Sequence, residues 1–346
     1  MSDVATALMR VVEALKGARR AALAEAIRAD FPMSDDALAW CVDTTLARYT
    51  PEALEALVRT RWEGRRVRVI LAATVPLAPL RALALPLLHG AVSVSARASR
   101  RQPAVTRVVA ETLLAEGLPV RVAHVERHEG EAVVIAYGRD ETLATIRDAL
   151  PPDVVFEGYG HGFGVVLLGE GAGDVSEELA TDIAAYDQRG CLSPQVVLAL
   201  GEGERVAEGM HRALLAREAR WPRARLDVGM GASVAQWQGV QAALAAGLWR
   251  GPRHAVSWWR EARMQASPGA RNIAVVSVRD LAQVRALLAP FAAHLSVVGA
   301  AGDVGDAWRP EGFAGRVVPV GSMQDPALDG PEDLRPPVVQ TPMKSL

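Results

Sequence analysis

Cys191 stands in the stretch Asp187-Gln188-Arg189-Gly190-Cys191-Leu192-Ser193-Pro194-Gln195, where a thiol has the chemistry of a nucleophile. Gly190 leaves room for a carbonyl to approach the main chain, and Pro194 stiffens the exit. A cysteine in purely apolar surroundings would be buried and inert. The polar neighbours Asp187, Gln188 and Arg189 argue instead for an accessible, reactive one. A carboxylate precedes it: Glu157, in Val154-Val155-Phe156-Glu157-Gly158-Tyr159-Gly160-His161, ends an apolar run where glycines leave space. Such a group is a general base if apolar surroundings raise its pKa toward neutrality, and otherwise a solvated strand end.

These side chains need a frame. Residues 174–186 read as a helix with Val175, Leu179, Ile183 and Ala184 on one face, and 196–200 read as a buried strand, so Cys191 falls in the connection. Upstream, two or three helices end near Arg61. Strands then follow over 67–73, 91–95, 120–124 and 133–137, with helices over 77–88, 103–117 and 140–150. Short apolar strands separated by helices predict βαβ units and an α/β fold with a mostly parallel, Rossmann-like sheet. Ligands of such sheets sit beyond the carboxyl ends of the strands, here Ala72-Ala73-Thr74, Ser95 to Ser99, and Gly138. A second alternating series runs from His161, with strands over 165–168, 196–200, 273–277 and 295–298 and helices over 204–218 and 281–288. The expected division is a dinucleotide-binding domain with N-terminal helices over 1–160, a cysteine-bearing catalytic domain over 161–325, and a proline-rich tail over 326–346.

Composition narrows the class of function. With 346 residues, half of them apolar, the chain is long enough for two domains. A net charge of -2 argues against a nucleic-acid partner. Two cysteines build no disulfide framework, no cluster has zinc-ligand spacing, and a cytoplasmic setting is expected. The apolar region 67–96 is interrupted by Arg81, His89 and the prolines Pro76, Pro79 and Pro86, so no membrane span is expected. The run Gly169 to Gly173 lacks the spacing of a dinucleotide fingerprint and reads as a turn. Trp221, Trp237, Trp249, Trp258 and Trp259 read as core packing, with the lining of an acyl tunnel as the alternative.

The pairing of Glu157-x-x-Gly160-His161 with Gly190-Cys191 resembles the aldehyde dehydrogenase superfamily. Within it, Asp187-Gln-x-Gly-Cys191-x-Ser-Pro-Gln195 looks most like the fatty acyl-CoA reductases of the LuxC family, and Arg316-Val-Val-Pro-Val-Gly321-Ser-Met323 is similar to that family's closing segment. The resemblance runs from about Val67 onward. It implies an aldehyde-dehydrogenase-like fold, with Cys191 as the acyl-accepting nucleophile and Glu157 as the nearby acid/base. The family's Lys-Pro-Ser-Glu-x-x-Pro motif, whose lysine contacts the adenosine ribose, falls on Arg97, Ser99 and Arg100. Arg100 replaces the acidic residue that would repel a ribose 2′-phosphate, so the resemblance implies NADPH, guanidinium groups being suited to bidentate phosphate binding. Gly138 matches the glycine that admits the cofactor's diphosphate.

Two departures stand out. The oxyanion-holding Asn of an Asn-x-Pro-Leu pattern appears as Thr74, which reaches less far and leaves more to the Cys191 backbone N–H. The chain is also shorter at the N-terminus, where the superfamily often carries dimerisation strands, so a homo-oligomer and an acyl-supplying partner protein both stay open. The implied activity is NADPH-dependent reduction of a long-chain acyl-CoA to an aldehyde through an S-acyl-cysteine. The alternatives are NAD(P)-dependent oxidation of an aldehyde by the same thiol, and a non-catalytic partner subunit of the fold.

Overall fold

Four N-terminal helices precede the first strand: α1 (Asp3–Lys16), α2 (Arg20–Asp30), α3 (Asp35–Ala47) and the short α4 (Pro51–Glu55). Their starts are set by side chains that satisfy the orphan N–H groups of a first turn. Ser2 accepts from Ala5 N at 3.2 Å, Ser34 from Ala37 N at 3.3 Å, and Thr50 from Ala53 N at 3.2 Å, the last with Pro51 opening the helix. In α1 the residues Leu8, Val11, Val12 and Leu15 recur at helical period and are fully buried, which gives the helix its inner face.

The computed structural model describes residues 1–72, 74–99, 103–123 and 129–340. It divides into two compact units. Unit one comprises Met1–His161 with Ala327–Glu332 and Pro336–Leu346 from the C-terminus; unit two comprises Gly162–Pro326 with Asp333–Arg335.

In unit one, β1 (Arg66–Ile70), α5 (Ala78–Leu88), β2 (Ser93–Arg97), α6 (Pro103–Ala115), β3 (Val120–Val122), β4 (Val133–Tyr137), α7 (Asp140–Asp148) and β5 (Val155–Tyr159) follow in order. The strands β3, β2, β1, β4 and β5 lie side by side and parallel. Their carboxyl ends therefore share one edge, as the βαβ pattern predicts. The segment read as a proline-rich tail returns to this sheet. Its residues Val338–Gln340 pair antiparallel with β5 and close an otherwise open edge, and the Arg81 guanidinium bonds the Ala327 carbonyl.

Unit two holds β6 (Phe163–Leu168), α8 (Ser176–Ala184), β7 (Pro194–Leu200), α9 (Gly203–Arg220), α10 (Val228–Leu244), β8 (Gly247–Arg250), β9 (Ala255–Trp259), β10 (Asn272–Val278), α11 (Leu281–Leu288), β11 (Leu295–Ala301) and β12 (Arg316–Pro319); the C-terminal strand Val338–Gln340 of unit one is β13. The seven strands of unit two run in the order β12-β11-β6-β7-β10-β9-β8, parallel except for β8. Both faces are covered, which is why the strands read as continuous apolar runs. Val166, Leu168, Val197, Ala199, Ile273 and Val275 belong to one apolar cluster, while Val165, Leu167, Val196, Leu198, Ala274 and Val276 belong to the other. The period of two along each strand sorts the side chains to opposite faces. Trp221, Trp237, Trp258 and Trp259 are buried and Trp249 packs against the first of these clusters, as core packing predicts. Among the described residues, no helix is long and apolar enough to cross a membrane.

Candidate active site

The helix expected to run to residue 186 stops at Ala184. A 3₁₀ turn over Ala185–Gln188 follows, in which Tyr186, Asp187 and Gln188 take φ values of 52°, 52° and 63°. Three successive side-chain-bearing residues in the left-handed region are costly for L-residues and end the α-helix at once. The chain then makes a tight turn over Gly190–Ser193. Ser193 N donates to the Gly190 carbonyl at 3.0 Å, and Gly190 N donates to Ser193 Oγ at 3.2 Å. Cys191 is the second residue of this turn, partly exposed, with one side against the apolar cluster that contains Leu192 and Met323. It forms no disulfide.

The turn lies at the amino end of β7, not at the carboxyl edge of the sheet, and it rests on β6. Gly164 N donates to the Ser193 carbonyl at 3.0 Å. A Cβ on Gly164 would come within 2.8 Å of the Leu192 carbonyl oxygen, so only glycine lets the two main chains meet this closely. A second support comes from α8. The Asp182 carboxylate, fully buried, accepts from Gly321 N at 2.6 Å and Met323 N at 3.0 Å, and burial pushes its pKa up to about 7 against the opposing pull of these amides. Gln324, next in the chain, brings Nε2 to 3.5 Å from Ser193 Oγ. The closing segment 316–324 is thereby tied to both the helix before the cysteine and the turn that carries it.

In unit one, Thr74 lies exposed in the turn after β1, Arg97 ends β2 half-buried, Ser99 follows it, and Gly138 follows β4. All four are brought to the common carboxyl edge of the parallel strands. Arg100 lies outside the described residues. Glu157 differs from its expected position at a strand end: it is the third residue of β5, in register with Ile135 of β4 and Val339 of β13. The strand runs on because Tyr159 pairs in register with Tyr137 and stacks on its ring, with centroids 5.0 Å apart. The Glu157 carboxylate is 2% exposed and ion-paired with Arg61; burial raises its pKa while the Arg61 charge pulls it down.

The model for the acyl-CoA reductase (LuxC) family matches residues 60–333, most of the chain. This chain belongs to that family. Solved structures place this LuxC-family protein in the aldehyde dehydrogenase fold. The methylmalonate-semialdehyde dehydrogenase of Oceanimonas doudoroffii is 14% identical with a TM-score of 0.72, the match covering 99% of this chain and 86% of that one. A NAD-dependent benzaldehyde dehydrogenase from Corynebacterium glutamicum is 13% identical with a TM-score of 0.70, over 94% and 83% of the two chains. The Delta-pyrroline-5-carboxylate dehydrogenase of Mycobacterium tuberculosis, solved with NAD bound, is 14% identical with a TM-score of 0.69, over 100% and 80%. No curated protein matches the chain in sequence.

Set against a nicotinamide dinucleotide, the edge of this LuxC-family sheet offers fitting donor chemistry: a guanidinium at Arg97, hydroxyls at Thr74 and Ser99, and no Cβ at Gly138. The first turn of α7 carries Asp140 and Glu141, so the charge of that helix N-terminus does not itself attract a diphosphate, and what Gly138 offers there is close approach to the main chain. Sequence reasoning missed Arg61, Asp182 and Gln324. Only Asp182 left a local trace, as a lone charge among the apolar positions of α8.

Proposed function

We propose that this protein reduces a long-chain acyl-CoA to the corresponding aldehyde with NADPH, through an S-acyl intermediate on Cys191. One observation carries the reading: the partly exposed Cys191 is the second residue of a closed turn in a chain that belongs to the acyl-CoA reductase family.

The Cys191 thiolate adds to the thioester carbonyl, and the tetrahedral intermediate expels the thiolate of coenzyme A to leave an S-acyl enzyme. The role of Thr74, with the Cys191 backbone N–H, is to donate hydrogen bonds to the oxyanion of that intermediate. Bound NADPH supplies the hydride that the acyl carbon takes up. Collapse of the resulting thiohemiacetal breaks the carbon–sulfur bond, returns the thiolate to Cys191 and releases the aldehyde. Glu157 holds or moves the protons of these steps, its basicity set by burial against the charge of Arg61. Arg97 and Ser99 bind the adenosine end of the cofactor, and the guanidinium favours a 2′-phosphate there. Gly138 admits the diphosphate.

Purified protein is incubated with acyl-CoA and NADPH, and separately with an aldehyde and NAD(P)+. The reading predicts NADPH consumption with stoichiometric aldehyde in the first reaction and none with Cys191→Ala. Oxidation of aldehyde without reduction of acyl-CoA assigns the opposite direction, and inactivity in both with intact cofactor binding assigns a non-catalytic role.

A further inference from the structure

Five non-glycine residues of the described chain have positive φ, and they fall in two segments that grip each other: Tyr186, Asp187 and Gln188 before Cys191, and Ala270 and Arg271 before β10, at 55° and 62°. The contact between them is dense. The Arg271 guanidinium, 3% exposed, donates through Nε to Asp187 Oδ1 at 3.0 Å and through Nη2 to the same oxygen at 2.7 Å. Its Nη1 bonds Glu218 Oε2 at 3.1 Å and the Trp221 carbonyl at 2.6 Å, and Nη2 also reaches the Ala184 carbonyl at 3.4 Å. From the other side, buried Gln188 donates through Nε2 to the Pro194 carbonyl at 2.7 Å and the Asn272 carbonyl at 3.2 Å. Asp187 Oδ2 is occupied as well, accepting from Ala224 N at 3.1 Å.

We propose that Arg271 is a positioning residue for Cys191, clasping the left-handed run Tyr186–Gln188 from which the Gly190–Ser193 turn presents the thiol. Backbone held in sparsely populated conformations persists only where its surroundings over-determine it, and such strain collects at functional sites. Beside the bonds of Gln188 and Ala224, one planar guanidinium fixes Asp187, α9 through Glu218 and the end of α8 through Ala184 at once. Lysine, whose three donors sit on one nitrogen, cannot span all three in that planar geometry. The left-handed run is separated from Cys191 by Arg189 and Gly190 alone, so a relaxed run changes where the thiol points without touching substrate or cofactor. This inference rests on Cys191 being the nucleophile.

The test therefore uses a readout that needs no substrate. Alkylation of Cys191 by iodoacetamide is followed from pH 6 to 10 by peptide mass spectrometry, alongside kcat and KM for acyl-CoA, in the full-length protein and in Arg271→Lys, Asp187→Ala and Asp187→Gly. Melting temperatures show which variants are folded. The expected result for Arg271→Lys is a fall of about tenfold or more in kcat and in alkylation rate, with KM within about threefold of the parent. Asp187→Gly, which accepts a positive φ without strain, should retain at least threefold more of both rates than Asp187→Ala. Parental alkylation rate and kcat in folded Arg271→Lys, or equal losses in the two Asp187 variants, overturn the proposal. Should Arg271→Lys fail to fold, the Asp187 pair decides it. A parent that alkylates at Cys191 but reduces no acyl-CoA refutes the functional reading and leaves the clasp to be judged by alkylation.

Discussion

Arg61 donates to the carboxylate of Glu157, a side chain almost wholly withdrawn from solvent, from a guanidinium that is itself half exposed. The two residues stand 96 positions apart in the chain. Burial disfavours the charged carboxylate and Arg61 restores part of what burial removes, so the pair sets the basicity of the group assigned to proton transfer. Arg61→Met removes the opposing charge, and the Glu157 pKa climbs further. Because the ionised form is then reached only at higher pH, the acidic limb of the pH–kcat profile should move in the alkaline direction. Stability should fall by about 1–3 kcal/mol, less than for a fully buried pair because Arg61 is partly solvated. A profile that keeps its acidic limb in place separates Glu157 from the rate.

Asp182 makes a prediction about stability with pH. In the folded protein its pKa is about 7, against 3.8 ordinarily, so between these values the native state holds a proton that the unfolded chain has released. Stability from this group is then present at low pH and declines as pH rises toward about 7. Asp182→Asn is neutral throughout and lacks this slope. The difference in melting temperature, parent minus variant, should shrink as pH rises from about 4 to about 7 and level off above that. A difference independent of pH would mean that Asp182 titrates alike folded and unfolded.

Cofactor choice should respond to Arg97. Replacing Arg97 by Glu puts a like charge where a 2′-phosphate is expected to bind, and kcat/KM for NADPH should fall about ten- to a hundredfold, ~1.4–2.8 kcal/mol. NADH, which lacks that phosphate, should lose far less. Steady-state kinetics with both cofactors measures this, and equal losses would take Arg97 out of phosphate recognition.

The alternation of strands and helices was legible because each strand is a short apolar run between turn residues; β4 over Val133–Tyr137 and α11 over Leu281–Leu288 match expectation residue for residue. The stretch from Val228 to Trp259 was not. The helix α10 contains Gly229, Gly231 and Gly239, carries no charged side chain and buries only Trp237 and Gln241, so no apolar stripe contrasts with a polar face. The expected helix over 174–186 overran because the left-handed run that ends it is held by Arg271, 84 residues away from Asp187. The site divided in the same way. The candidates Cys191, Thr74, Arg97, Ser99 and Gly138 were marked by neighbouring residues in the sequence, whereas Arg61, Asp182 and Arg271 bond partners that only folding brings near.

In the proposed reaction the sulfur of Cys191 takes the acyl group. Intact-mass spectrometry of the protein mixed with acyl-CoA in the absence of NADPH tests it most directly. A single added acyl mass is expected that maps to the peptide bearing Cys191, disappears when NADPH is added, and never forms in Cys191→Ala. An acyl adduct elsewhere, or aldehyde produced at the parental rate by Cys191→Ala, would contradict it.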